Sequence, residues 1–459
     1  MRTLLKNAEI YTQQGFQRRD ILIDGQKVLL NFSKFDSGFD TAVDLNDLYI
    51  VPGFADVHVH LREPGFSYKE TIRSGTEAAA HGGYTAVCAM PNLRPVPSSP
   101  EALEAELAAI RRDALIHVYP YGAITREQKG RGELAELAAM APLVCAFSDD
   151  GKGIQEASLM REAMLEAARL HKMIVAHCED EAELKPGGCI HDGEYARLHH
   201  HVGISSASEW KQVQRDVQLA AETGVHYHVC HVSTKESVAV IREAKARGVH
   251  VTAETGPHYL MFTDMDLRES GAWKMNPPIR SKEDRDALID GILDGTIDCL
   301  ITDHAPHSAE EKARGLDRSA FGIVGLETAF PAMYRKLVLS DPRSAEAGGD
   351  GLLAGAAAPS GSSAGKSGTG GAITLEKLIE LMAVNPRRVF GLPGPLEIAD
   401  GCDADLTVLD LGKRFRVDSS GFYSMGRSTL FDGMELQGQV VSTYVGGRKV
   451  YDREKGIFR

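Results

Sequence analysis

The sequence predicts an α/β protein: a (β/α)8 TIM-like barrel with a small β-sandwich domain built from both chain ends. Three observations predict it. Short apolar runs alternate with helical patterns from Tyr49 onward, there are eight such runs, and metal-binding residue types gather at their C-terminal ends. At 459 residues the chain has room for one large barrel and a smaller unit.

The candidate strands are 54–60, 84–90, 116–122, 143–149, 173–179, 225–231, 249–255 and 298–304, with amphipathic stretches such as 208–221 and 235–246 between them. Near-continuous apolar strands of this kind belong to parallel sheets covered on both faces. A doubly wound open sheet fits the alternation too, because periodicity does not close a sheet. The position of the polar residues favours the barrel. Residues 1–50 and 396–459 are rich in β-branched residues punctuated by Gly and Asp, and predict short antiparallel strands that join in one small β domain beside a barrel at 51–395. Within the barrel, 344–372 is an insertion in which 22 of 29 residues are Gly, Ala or Ser, too poor in apolar volume to offset its ordering entropy, and is expected to be a disordered surface loop. Its GSSAGKSG resembles a phosphate-binding loop but is one residue short and has no preceding strand.

Charge and cysteine content narrow the function. The net charge of −13, from 64 acidic and 51 basic residues, argues against a nucleic-acid or anionic-membrane surface, so an anionic substrate needs local positive charge. Seven isolated cysteines without a CxxC fit reduced thiols in a cytoplasmic protein. No export signal or 18-residue apolar run is visible, so no membrane partner is expected.

Residues i and i+2 of a strand share a face, so His58 and His60 in ADVHVHLREPG point the same way from the end of the first strand. Alone, an HxH is as well explained by two satisfied polar residues. His177 closes MIVAH, His231 closes VHYHVCH, Asp150 follows LVCAFSD and Asp303 follows DCLIT, each at the end of a different strand. A barrel gathers those ends at one mouth. Four imidazoles and two carboxylates suit Zn²⁺, and a carboxylate has two oxygens with which to bridge a pair of ions. Cys178 and Cys230 alternate with the histidines and are expected to face the helices, as are His226 and His228. The HHH run at 199–201 is expected to be solvated.

The motifs DVHVHLREPG, CAMPN, FSDDG, AHCED, HVCHVSTKES, KMNPPIR, TDHAPH and FGIVGLETAF follow one another across nearly the whole chain. In this order they resemble the amidohydrolase superfamily and, within it, the bacterial class I dihydroorotase family. The resemblance implies two Zn²⁺ ions: His58, His60 and Asp303 on the first, His177 and His231 on the second, and Asp150 between them. It also implies a substrate site in which Arg62 and Asn92 grip a carboxylate, Asn276 and His307 contact the substrate elsewhere, and the backbone at Phe321 and Gly322 caps the ring. The implied reaction is the reversible cyclisation of N-carbamoyl-L-aspartate to dihydroorotate plus water in pyrimidine synthesis, through a hydroxide shared by the two ions, with Asp303 as proton shuttle. A homodimer, and association with aspartate carbamoyltransferase, are the implied partners.

Hydantoinases and allantoinases commonly place a carboxylated lysine at the bridge, but 141–150 contains no lysine and carries the SDDG motif instead. Strand alternation turns Asp149 away and leaves Asp150 as the bridge. A non-catalytic dihydroorotase-like scaffold typically loses ligands, and here all six are present. Leu93 in MPNLRP, and Gly256 and Tyr259 in GPHY, depart from the family pattern without removing a ligand.

Overall fold

In the computed structural model, which describes residues 2–32, 38–343 and 371–458, all eight expected barrel strands form, most of them shorter than the apolar runs that encode them. They are β1 (Phe54–Val59), β2 (Tyr84–Ala89), β3 (His117–Pro120, resuming at Gly122–Ala123), β4 (Phe147–Ser148), β5 (Ile174–Ala176), β6 (Tyr227–Val229), β7 (Val251–Thr255) and β8 (Cys299–Leu300). Every residue of β1 and β2 is buried, as strands covered on both faces require. Each strand pairs in parallel with the next, and a parallel bridge from Val59 to His304, just past β8, brings the last strand back to the first. His60 N donates to His304 O at 2.8 Å on the same seam.

Seven of the strand segments contribute to one apolar cluster: Val57, Cys88, Tyr121, Ala146, Val175, Cys230 and Ile301. Phe390, at the end of the helix Asn385–Phe390, packs edge-on against Tyr121 and His228 and seals this cluster from below. A larger cluster lies between strands and helices and includes Val213 and Val217 of Ala207–Thr223 and Val238 and Ile241 of Lys235–Ala246. Those two helices fall where their periodicity predicts. Thr234 caps the second by accepting from Ser237 N at 3.3 Å, and Gly224 ends the first in a left-handed conformation.

The chain ends meet in one nine-stranded sheet with a core of its own, including Leu5, Ile10, Ile21, Ile50, Leu406 and Val408. Tyr49–Pro52 pairs antiparallel with Leu406–Arg416, which joins the two ends. The expectation of antiparallel strands alone needs correction, because Arg2–Thr12 pairs in parallel with both Thr41–Asp44 and Tyr49–Pro52. The segment expected to be disordered lies, at 344–370, outside the described residues. All seven cysteines are free thiols, and among the described residues no helix is long and apolar enough to cross a membrane.

Candidate active site

The six residues at the strand ends converge. Asp150 is central: its Oδ1 lies 3.3 Å from His231 Nε2, 3.4 Å from His58 Nε2 and 3.6 Å from His177 Nδ1, and its Oδ2 lies 3.4 Å from His60 Nε2. Asp303 Oδ1 sits 3.1 Å from His60 Nε2 and 3.6 Å from His58 Nε2, while His177 Nδ1 and His231 Nε2 face each other at 2.9 Å.

Buried carboxylates set these positions. Asp56 accepts from His58 N at 3.0 Å and from Thr302 N and Oγ1 at 3.0 and 2.6 Å, which locks the HxH strand to the Asp303 segment. Asp149 turns away from the cluster, as alternation predicts, and accepts from the backbone of Ile124, Thr125 and Gly130. Glu209 accepts from Ser233 N and Thr234 N at 3.0 and 3.1 Å and fixes the turn after His231. His231 and Asp303 themselves have φ values of +30° and +46°, uncommon for residues with a side chain.

That turn explains three corrections. The strand parity that was to send His226, His228 and Cys230 toward the helices instead sends them to the inner face: His226 and His228 both bond Thr252 Oγ1, while Tyr227 between them reaches Asp216 of the helix Ala207–Thr223. His228 packs on Phe390, and Cys230 Sγ lies within 4.8 Å of ligand atoms of His58 and Glu254. His231 reaches the cluster because its left-handed backbone breaks the alternation after Cys230. Cys178 does face outward, with its Sγ 3.2 Å from the Tyr227 hydroxyl. A fourth correction concerns the HHH run: His199 and His200 are exposed, but the His201 side chain is 8 % exposed and is held between Asp317 Oδ1 at 2.6 Å and Glu269 Oε1 at 2.9 Å.

The donors fit divalent ions. His58 Nε2 is buried without a hydrogen-bond partner among the described residues, although it faces two carboxylates. Its donor atom, with those of His60 and Asp303, lies within a 4.8 Å group, and a second such group joins it to Asp150 and His231. His60 Nδ1 bonds to Asn92 Oδ1 at 2.9 Å, which turns the Nε2 lone pair toward Asp303. Burial pushes the Asp303 carboxyl up, but its close contact with His60 and the nearby His58 and His231 override it and hold it at about 2. Burial likewise raises Asp150, and His58, His177 and His231 carry it well below the usual carboxylate range.

The cluster floors a cavity of roughly 410 Å³ also lined by Arg62, Asn92, Asn276, His307, Phe321 and Gly322. Arg62 is 7 % exposed; burial lowers its pKa to about 10, so it is a cation at neutral pH. Its Nε donates to Pro306 O at 3.2 Å. Since Asn92 Oδ1 is engaged by His60, its amide nitrogen is the atom left for a ligand. Asn276 Nδ2 donates to Glu179 Oε1 at 2.7 Å, which aims the amide into the cavity wall. Burial, with Arg62 and Lys69 beside it, holds His307 down to about 3, so it is neutral. One tautomer then satisfies both ring nitrogens: Nε2 donates to Phe321 O at 2.7 Å and Nδ1 accepts from Lys69 Nζ at 3.1 Å. Gly322 has φ +134°, and a Cβ there would stand 2.6 Å from Ala305 O, so only glycine lets the backbone itself form the wall. Lys152 is exposed at the cavity mouth.

Sequence reasoning missed Glu254 and His228. Glu254 bonds His58 Nδ1 at 2.6 Å and His228 Nε2 at 3.0 Å, beneath the cluster. Of the departures from the family pattern, Leu93 is buried and the Tyr259 hydroxyl donates to Pro277 O at 2.9 Å, next to Asn276.

A family model described as dihydro-orotase-like matches residues 48–237. The dihydroorotase of Fusobacterium nucleatum is 44 % identical over 455 residues, covering 98 % of this chain and 99 % of its own. That of Halalkalibacterium halodurans is 45 % identical over 466 residues, with full coverage of both. Among solved structures, the L-hydantoinase (dihydropyrimidinase) of Arthrobacter aurescens superposes with a TM-score of 0.81 at 25 % identity, over 100 % of this chain and 97 % of its own. The dihydropyrimidinase of Brevibacillus agri, at 20 % identity and a TM-score of 0.80 over 100 % and 96 % of the two chains, shares the fold. With full-length relatives at this identity, the chain belongs to the dihydroorotase family.

Proposed function

We propose that this protein is a cytoplasmic, zinc-dependent dihydroorotase that interconverts N-carbamoyl-L-aspartate and (S)-dihydroorotate plus water in pyrimidine synthesis. The observation that carries the reading is the placement of Arg62: a buried cation on the wall of a cavity floored by three imidazoles (His60, His177 and His231) and two carboxylates (Asp150 and Asp303). Dihydroorotate offers the matching pair, a carboxylate for the guanidinium and a cyclic amide for hydrolysis.

In this reading His58, His60 and Asp303 would hold one Zn²⁺, His177 and His231 a second, and Asp150 would contribute to both. Zn²⁺ held there would supply Lewis-acid polarisation of the amide carbonyl and a water that is nucleophilic near neutral pH. The protein's own groups do the rest. Arg62 and the Asn92 amide grip the carboxylate, while Asn276, His307 and the backbone at Phe321 and Gly322 orient the ring. In hydrolysis Asp303, ionised at neutral pH, takes a proton from the attacking water and delivers it to the ring nitrogen as the C–N bond breaks. Ring closure runs the same steps backward.

The eight strands and the Val59–His304 bridge support a closed barrel at 51–395, and the nine-stranded sheet with its separate core supports a β-sandwich made from 1–50 and 396–459. Family membership extends the reading to a homodimer and to a complex with aspartate carbamoyltransferase, which sizing with and without that enzyme tests. Against a hydantoinase stands Asp150 itself, which fills the centre of the cluster where a carboxylated lysine would sit. The direct experiment is hydrolysis of dihydroorotate, hydantoin and allantoin by the purified protein. Turnover of dihydroorotate alone is the expected result, and a preference for either other ring rejects the proposal.

A further inference from the structure

Lys312 ends the short helix Ala309–Lys312 and is 6 % exposed, yet among the described residues no carboxylate pairs with it. Its Nζ donates to three main-chain carbonyls: Lys274 O at 3.0 Å, Ala320 O at 2.8 Å and Gly322 O at 2.7 Å. Burial and the nearby Lys274 lower its pKa to about 7, and the three acceptors take all three N–H bonds of the charged form. The neighbouring acid, Glu311, is turned to Lys69 Nζ at 2.9 Å instead.

The three carbonyls belong to two stretches of the cavity wall. Lys274 lies two residues before Asn276, and Ala320 and Gly322 flank Phe321. The stretches also touch directly, since Gly322 N donates to Lys274 O at 3.0 Å. The carbonyl between the two bound by Lys312, that of Phe321, accepts from His307 Nε2 on the other side. Holding Ala320 O and Gly322 O toward the ammonium therefore sets the direction of the Phe321 peptide and, through it, of His307. A buried cation is costly unless fully hydrogen-bonded, and an apolar chain of similar length would fill the same space without that cost. What the ammonium adds is the direction of three carbonyls.

We propose that Lys312 is a positioning residue for substrate: it ties the segment of Phe321 and Gly322 to the segment of Asn276 and fixes the ring-binding wall. This rests on the reading of the cavity as a dihydroorotate pocket. The test uses the metal-loaded full chain with Lys312→Met and Lys312→Gln, measuring kcat, KM for dihydroorotate, metal content and amide hydrogen exchange. The expected result for Lys312→Met is a KM raised about 10- to 100-fold, the scale of lost charge-assisted hydrogen bonds, with kcat changed far less and metal content as in the parent. Exchange should quicken together in peptides covering 273–276 and 319–323, and not in those covering 56–62. Lys312→Gln, which keeps two donors, should fall between, and it decides the matter by the same readings if Lys312→Met does not fold. A parental KM in a folded variant, or metal loss in parallel with the rise in KM, overturns the proposal. If the parent itself does not turn over dihydroorotate, the pocket reading fails, and the exchange data alone decide whether Lys312 couples the two segments.

Discussion

Glu254 Oε1 lies 2.6 Å from His58 Nδ1, with both side chains fully buried, and the other oxygen of the same carboxylate lies 3.0 Å from His228 Nε2. Burial raises the Glu254 pKa, but His58 and His228 pull it down to about 2, so a carboxylate accepts the His58 Nδ1 proton and leaves Nε2 free to face Asp150 and Asp303. Such an outer partner fixes the tautomer and orientation of a metal-binding imidazole. Glu254→Gln should weaken metal binding about 10- to 100-fold, with turnover recovered at high Zn²⁺. Metal content after dialysis checks this, and unchanged retention would remove Glu254 from the account.

The two aspartates should separate cleanly. Asn at 303 keeps a carbonyl oxygen for an ion but cannot take a proton, so metal should be retained while kcat falls at least about 10²- to 10⁴-fold. Asp150→Asn removes the carboxylate that lies within 3.6 Å of all four histidines and should lose the ion held by His177 and His231. Metal analysis with kinetics on both variants checks the pair; metal loss in the first with two ions and full activity in the second would reverse the assignments.

Arg62→Lys keeps the charge and loses the planar fork. Binding of dihydroorotate should weaken roughly ten- to a hundredfold, with metal content unchanged. Calorimetric titration of the variant checks this, and parental affinity would place the substrate carboxylate elsewhere.

The strand ends made the candidate site legible: side chains that are to meet at one end of a parallel sheet must stand where its strands stop, and all six do so in the sequence and converge in the structure. Asp149 and Asp150 could be told apart because alternation holds through β4. It misled at His226, His228 and Cys230 because it was carried past the end of β6, where the backbone at His231 turns left-handed. Glu254 was invisible for a different reason. VTAET reads as an ordinary strand, and only the ring brings Glu254 under His58. The parallel pairings of Arg2–Thr12 were hidden in the same way, since they depend on segments some 35 to 40 residues further along the chain.

Histidines kept neutral by burial give a pH dependence away from the cluster. Burial, with His250 stacked on its ring at 3.9 Å, holds His226 down to about 3. Between that value and the ordinary pKa near 6.5 the unfolded chain binds the extra proton, so this contribution is present above about pH 6.5 and is lost as pH falls toward 3. His226→Gln should therefore flatten the fall in urea midpoint between about pH 6.5 and 4.5, by on the order of 1 kcal/mol after allowance for screening. An unchanged slope would mean that His226 titrates normally.

The most direct measurement is a titration of chelator-stripped protein with Zn²⁺, following bound metal and dihydroorotate hydrolysis together. The cluster of four imidazoles and two carboxylates, Asp150 and Asp303, predicts no turnover without metal and activity that rises to a plateau at two ions per chain. Full turnover in the metal-free protein, or bound zinc that leaves dihydroorotate untouched, would contradict it.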